Sequence, residues 1–242
     1  MTGVRVAQVV ALYMGERRKR NNNPTNPADV LGMLRHHAEL LTTVDPGVPT
    51  DVLIINNQAG YHHGNLYLDH QLAGRKTPRG TILTETRANV GGSFGAYDHA
   101  FQKWRNDYTH WLFLEDDVMI TEHDLVREMV GFIDDNPKVG FVALAPISNA
   151  PPHSGGGCGL TRRDRLEEVC RVRNGRLPHN EGKNYGQLEA AEVQFTLVYH
   201  ELGYELRNLP GVSPLAANFE RHESQQRFRA QNEGRKVYLV GL

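Results

Sequence analysis

Short apolar runs that alternate with segments of helical period constrain this chain more than any other feature. Val4 to Tyr13 is valine-rich and short, and reads as a buried strand. In Asp51 to Asn57 the run Val52, Leu53, Ile54, Ile55 is unbroken, as a strand covered on both faces requires. Thr81 to Thr86, His110 to Leu114 and Val139 to Ala145 supply three more strands. Between them lie amphipathic segments. Asp29 opens one with Val30, Leu34, Ala38 and Leu41 on one face, ending before Asp45-Pro46-Gly47. Gly91-Gly92 leads into another with Phe94, Tyr97, Phe101 and Trp104, and Leu125, Met129 and Ile133 mark a third that stops at Asn136-Pro137. Strands alternating with helices of this length predict an α/β fold, a mostly parallel central sheet flanked by helices.

The rhythm stops between residues 146 and 186, which carry Pro151-Pro152, Gly155-Gly156-Gly157, Pro178 and six arginines. Read from composition, 149–186 is a long flexible loop, of the kind that serves as a lid or binding loop. Residues 58–80, with four glycines and Pro78, read as a loop holding one short helix. Regularity returns at Gln187, where Leu188, Ala191, Phe195, Val198 and Leu202 form an apolar stripe ended by Gly203. Tyr204 to Leu209 reads as a strand, Phe219 to Asn232 as a polar helix and Val237 to Val240 as a last strand. No repeat and no second core is evident, so 1–242 is expected to be one domain.

Composition narrows the function classes. Hydrophobic residues make up 39% and charged residues 23% of 242, so the chain can bury a core without staples. A formal net charge of -1 gives no global footprint for nucleic acid or anionic membrane. Cys158 and Cys170 are too few for a disulfide framework and read as reduced thiols of a cytoplasmic protein. No apolar run approaches the roughly 20 residues of a membrane span, and the first residues lack the pattern of a signal peptide.

The chemistry concentrates at strand ends, where open parallel sheets bind ligands. Glu115-Asp116-Asp117 follows the apolar Trp111-Leu112-Phe113-Leu114. Adjacent carboxylates repel one another unless a cation or hydrogen-bond donors hold them. Hard oxygen ligands of this kind suit Mg²⁺ or Mn²⁺ together with substrate phosphates. An acidic turn capping the next helix would have the same sequence. Arg87-Ala88-Asn89-Val90-Gly91-Gly92 stands at a strand-to-helix junction, where glycines admit close backbone approach and free amides favour anions. Glu189 and Glu192 share a face of the late helix, His222-Glu223-Ser224 follows the strand after it, and Tyr13-Met14-Gly15-Glu16 ends the first strand.

In this order and spacing the motifs resemble those of GT-A nucleotide-diphospho-sugar glycosyltransferases, the large inverting family that includes chitin and cellulose synthases. Glu115-Asp116-Asp117 is similar to the family's acidic motif. Arg87, Asn89 and Gly91 match its Arg-x-Asn-x-Gly element. Gly203-Tyr204 lies eleven residues after Glu192, the spacing from the family's general base to its Gly-Tyr pair, although the family's acid-Asp is Ala191-Glu192 here.

The resemblance implies a single Rossmann-like GT-A domain, with 4–120 as nucleotide-binding half and 121–242 as acceptor-binding half. It implies Asp117 and His222 as ligands of Mn²⁺ or Mg²⁺, and Glu192 as catalytic base with Glu189 as the fallback. It implies Tyr13, Arg17, Asn57, Arg87, Asn89, Gly91, Glu115 and Asp116 as contacts of a nucleotide diphosphate sugar donor. Asn57 stands near where the family usually has an aspartate, which leaves the donor base open. The implied activity is transfer of a sugar to an acceptor hydroxyl, with inversion, as in a hexosyltransferase.

Two other readings share the scaffold: a sugar-1-phosphate nucleotidyltransferase, which needs a Gly-rich N-terminal loop where residues 11–20 offer only Gly15, and a non-catalytic nucleotide-sugar-binding protein. Residues 162–183 hold seven basic and four acidic side chains, an excess of three. That excess points to an anionic acceptor: an acidic saccharide, a lipid-linked phosphate or, less in keeping with the neutral charge, a nucleic acid.

Overall fold

The first strand, β1 (Val6–Leu12), is buried along its whole length, with neighbours on both edges and helices on both faces. The computed structural model describes residues 3–14, 17–18, 24–25, 27–57, 62–116, 118–149, 151–180, 185–211 and 237–239. After β1 come β2 (Arg17–Arg18), β3 (Pro24–Thr25), α1 (Pro27–Thr43), β4 (Thr50–Asn57), α2 (His62–Tyr67), which runs into a π-turn at Leu68–Leu72, and β5 (Ile82–Arg87). Then follow α3 (Gly92–Trp104), β6 (His110–Glu115), β7 (Val118–Ile120), α4 (Leu125–Asp135), β8 (Val139–Ala143) and the hairpin β9 (Ile147–Asn149) with β10 (Pro152–Ser154). The chain continues through β11 (Gly159–Arg162), α5 (Arg163–Val172), α6 (Tyr185–Glu201), β12 (Glu205–Asn208) and β13 (Val237–Leu239).

Seven strands form the main sheet in the order β12-β8-β11-β6-β1-β4-β5. All neighbours are parallel except β11, which runs antiparallel to both β6 and β8. The chain moves from β1 outward through β4 to β5, then returns to place β6 on the other side of β1. The carboxyl ends of β1, β4 and β6 therefore flank a topological switch point, where a crevice opens in such sheets. The short strand β13 pairs with β7, directly after the acidic run.

Alternation along the strands divides the core between two faces. Ala7, Val9 and Ala11 of β1 and Trp111 and Phe113 of β6 pack with Phe94, Tyr97 and Phe101 of α3, Leu166 and Val169 of α5, and Phe195, Val198 and Tyr199 of α6. On the opposite face Leu112 and Leu114 meet Leu125, Met129 and Ile133 of α4, while Val10, Leu12, Val52 and Ile54 meet Leu34, Ala38 and Leu41 of α1. One aromatic cluster matters for what lies above it. The Phe113 ring is 4.8 Å from Tyr97 and 5.4 Å from Phe195, and Phe94 is 5.2 Å from Phe195, centroid to centroid. Each buried ring contributes about 1.5–3 kcal/mol of burial. Together they fix α3, β6 and α6 against one another.

The expected strands and helices appear with ends shifted by a few residues, and residues 58–80 do hold a short helix. The reading of 146–186 as one irregular loop is corrected. Residues 159–172 are β11, in the middle of the sheet, and α5 beneath it. Leu166, Val169 and Cys170 of α5 are buried at helical spacing, while its arginines and glutamates pair with one another, Arg163 with Glu167 and Arg165 with Glu168. Dense charge concealed a regular helix. The expected polar helix at 219–232 lies outside the described residues.

Candidate active site

Four strand ends converge at the switch point, with Ala11 opposite Glu115 and Asn57 opposite Arg87. Asp116 is buried, and its Oδ2 accepts the backbone N–H of Tyr13 at 3.0 Å, so the acidic run is tied to the end of β1. Glu115 Oε1 accepts the Ser93 hydroxyl at 2.7 Å. That bond links β6 to the first turn of α3.

Arg87 lies between two parts of the same wall. Its guanidinium donates to Asn57 Oδ1 at 2.5 Å and to the Val90 carbonyl at 2.7 Å, while Asn57 Nδ2 donates to the Gly92 carbonyl at 3.2 Å. Burial holds Arg87 below the ordinary arginine pKa and the Asp98 carboxylate pulls it back up. Arginine stays charged at neutral pH, so this half-buried cation pins the turn between β5 and α3 to the end of β4.

The glycines of that turn answer to close packing within the chain. Gly91 has φ +77°, and a Cβ there would lie 2.9 Å from the His179 ring and 3.2 Å from the Asn180 carbonyl; at Gly95 it would lie 2.0 Å from the Val90 carbonyl. His179 and Asn180 thus close over the turn. They arrive there because the buried carboxylate of Asp98, on α3, accepts the Leu177 N–H at 2.8 Å and the Arg176 guanidinium at 2.6 Å. His179 Nδ1 is 2.9 Å from the Leu177 carbonyl, so it carries the proton and leaves Nε2 as an acceptor in the neutral ring. Asn89 is exposed beside the turn.

Glu192 comes to the same place from α6. It is half-buried, its Oε1 accepts the Gly156 N–H at 2.8 Å, and a Cβ on Gly156 would lie 3.3 Å from Glu115 Oε2. The acidic strand end and the helix acid, distant in sequence, therefore flank a single glycine.

The structure brings together Tyr13, Asn57, Arg87, Asn89, Gly91, Glu115, Asp116 and Glu192. Glu189 lies on α6, one turn before Glu192, and Arg17 in β2, but their side chains are outside the described residues, as are Asp117 and His222. Among the described residues no three His, Cys, Asp or Glu side chains cluster closely enough to hold a metal ion. The sequence reading missed Ser93, Gly156, His179 and Asn180. The triple glycine signals Gly156; no sequence signal finds His179.

The arginines required a further correction. Because β11 is antiparallel to β6, Arg162 lies opposite His110, where β6 starts, at the far end from Glu115. There Arg162 pairs with Asp134 and Asp164, and Arg165 donates to Tyr204 at 2.8 Å. Arg173 pairs with Glu201 and Arg176 with Asp98. The local excess of positive charge is thus largely paired, and its first members face away from the site.

Cys158 and Cys170 are buried and unpaired with each other, and burial pushes the Cys170 thiol up to about 11. No helix among the described residues is long and apolar enough to cross a membrane.

No protein-family description and no curated protein sequence matches the chain. Solved structures do. The mannosyltransferase PcManGT from Pyrobaculum calidifontis, in complex with GDP-Man and Mn²⁺, is 13% identical over 97% of this chain and 64% of its own, with a TM-score of 0.56. S. aureus TarS 1-349 is 12% identical over 87% of this chain and 59% of its own, with a TM-score of 0.50. CMP:2-keto-3-deoxy-manno-octonic acid synthetase complexed with CTP is 12% identical over 95% of this chain and 99% of its own, also at 0.50. The chain spans less than two thirds of the first two. At these identities the likeness concerns the fold, which is the Rossmann-like GT-A nucleotide-sugar fold expected from the sequence.

Proposed function

We propose that the chain is a glycosyltransferase that moves a sugar, a hexose in our reading, from a nucleoside diphosphate onto an acceptor hydroxyl with inversion. The observation that carries this is the pairing of Glu115, at the switch point, with Glu192 across Gly156. It supports a donor held on the acidic side by 4–120 and an acceptor approached from α6 in 121–242. Tyr13, Arg17, Asn57, Arg87, Asn89, Gly91, Glu115 and Asp116 form the donor wall. Within that wall Arg87 and Asn57 shape the pocket through their mutual bond, and Asp116 holds the end of β1.

Glu192 is the base, with Glu189 as the alternative. Its carboxylate takes the proton of the acceptor hydroxyl as the oxygen attacks the anomeric carbon. The glycosidic bond to the diphosphate breaks on the opposite face, which inverts the configuration. The carboxylates at 115 and 116 are the hard oxygen donors that suit Mn²⁺ or Mg²⁺, and Asp117 and His222 are the ligands we assign. A cation bound there would offset the charge of the leaving phosphates. PcManGT, which holds GDP-Man and Mn²⁺, supports this reading by analogy of fold.

A panel of UDP-, GDP-, dTDP- and ADP-linked hexoses tested with Mn²⁺ and Mg²⁺ decides the matter. Metal-dependent thermal stabilisation and release of nucleoside diphosphate are expected with at least one donor. Silence towards all of them refutes the proposal. Pyrophosphate release from a nucleoside triphosphate and a sugar would instead indicate nucleotidyl transfer on the same fold.

A further inference from the structure

The Gly155-Gly156-Gly157 run is prominent in the sequence, and its chemistry is only half used by the mechanism above. It leaves β10 at Ser154 as one tight turn, with φ +62° at Gly156 and +60° at Gly157. Gly157 has no room for a side chain, since a Cβ there would lie 2.7 Å from Phe94 and 3.0 Å from Phe195. The turn is therefore wedged onto the aromatic cluster that fixes α3, β6 and α6.

Two hydrogen bonds then fasten it to α6. The Ser154 N–H donates to Thr196 Oγ1 at 2.9 Å, and the Gly156 N–H donates to Glu192 Oε1 at 2.8 Å. Glu192 and Thr196 stand one helical turn apart on the same face. Ser154 and Thr196 are 0% exposed, so water does not compete for the first bond, whereas Glu192 is only half-buried. A buried N–H deprived of its acceptor is costly because no water replaces it, so losing the Thr196 hydroxyl favours a shift of the turn.

We infer that Thr196 is a positioning residue for Glu192: it anchors Ser154, so that the Gly156 N–H fixes one carboxylate oxygen and leaves the other to take the proton. The inference rests on the reading of Glu192 as the base. The hydroxyl itself touches no substrate. It acts through two backbone amides, and the same turn sets the gap between Glu192 and Glu115.

Thr196→Val removes the hydroxyl at nearly constant volume, and Thr196→Ser keeps it. The test measures nucleoside diphosphate release with the UDP-, GDP-, dTDP- and ADP-hexose panel and Mn²⁺, giving kcat and KM for the responding donor, with thermal melts alongside. The valine variant is expected to lose tenfold or more in kcat, roughly what a misplaced catalytic group costs, with donor KM within about twofold and the serine variant near the parent. Should valine prevent folding, Thr196→Ala makes the same comparison with serine. Parental kcat in the valine or alanine variant overturns the inference, and so does an equal loss in the serine variant, which would indicate packing alone. Glu192→Gln separates the two levels. A silent glutamine variant beside an unaffected valine variant removes only the role of Thr196, while parental turnover by Glu192→Gln removes the base assignment beneath it. A parent protein silent towards the whole panel overturns both.

Discussion

Asp98 is fully buried in the middle of α3 and holds the segment that covers the turn between β5 and α3, so its removal tests the packing argument directly. Asp98→Ala deletes three hydrogen bonds: from Leu177 N at 2.8 Å, Arg176 Nε at 2.6 Å and Gln102 Nε2 at 3.2 Å. The Leu177 amide is buried and loses a charged acceptor, worth about 1.5–3 kcal/mol. Gln102 adds roughly 0.5–1 kcal/mol. The Arg176 side chain is 60% exposed and regains water, so its pair contributes only about 0–1 kcal/mol. The expected loss is about 3 kcal/mol. An unfolding entropy near 2.1 cal/mol/K per residue over 242 residues converts this to a fall in Tm of roughly 6 °C. Asp98→Asn keeps an acceptor for Leu177 and should lose about half as much. Differential scanning calorimetry reads both, and hydrogen exchange at the Leu177 amide reads the local release. An alanine variant melting within about 1 °C of the parent refutes the claim that this carboxylate anchors His179 and Asn180 over Gly91.

Four further outcomes are expected, three from the geometry and the last from the proposed function. Gly95→Ala would place a Cβ 2.0 Å from the Val90 carbonyl, so it should cost about 1–3 kcal/mol and raise donor KM, read by melting and donor titration. His110 is buried, and desolvation lowers its pKa from 6.5 despite the opposing Asp134. Its folded form thus binds fewer protons than its unfolded form below pH 6.5, and stability should decline as pH falls from there towards the folded value; His110→Gln should flatten that slope in melts across pH 7 to about 5. Arg163→Ala, at the far end of the sheet, should leave donor turnover within about twofold of the parent, and a larger fall would return the arginines to the site. Asp117→Ala should abolish stabilisation by Mn²⁺ with nucleoside diphosphate, and retention of that stabilisation would remove Asp117 as a ligand.

The parallel strands were legible because burial on both faces demands unbroken apolar runs such as Val52 to Ile55. Strand β11 is just as buried but only four residues long, and its Gly-Leu-Thr-Arg sequence offers no run to detect. That Arg87, Asn89, Gly91 and Glu115 would stand at one end of the sheet could be read because each lies at or just after the carboxyl end of a strand, so position along the chain already implies position in space. The glycines gave only half their meaning. A glycine announces that something comes close, and in Gly91 the partner proves to be His179 of the same chain, delivered by a buried acid that the helical pattern of α3 does not reveal.

Charge was the least informative quantity, and β11 shows why. A count over 162–183 assigns an excess of positive charge to a stretch of sequence, but a charge acts where the fold carries it. One antiparallel strand reverses the direction of the chain, so Gly159 remains near the carboxyl end of β6 while Arg162, three residues on, stands beside His110 at its start. At that far end Arg162 pairs with Asp134, and elsewhere Arg173 pairs with Glu201 and Arg176 with Asp98, so acids from outside the counted stretch offset what the count had left over. The segment then returns along α3 and brings His179 and Asn180, rather than an arginine cluster, to the crevice. On the proposed function, an acceptor approaching Glu192 over the described residues meets the Gly155-Gly156-Gly157 turn rather than those arginines. Its recognition there should rest on hydrogen bonds and shape, with a weak dependence of acceptor KM on ionic strength; a steep one would require cations that Arg162, Arg163 and Arg165 are not placed to supply.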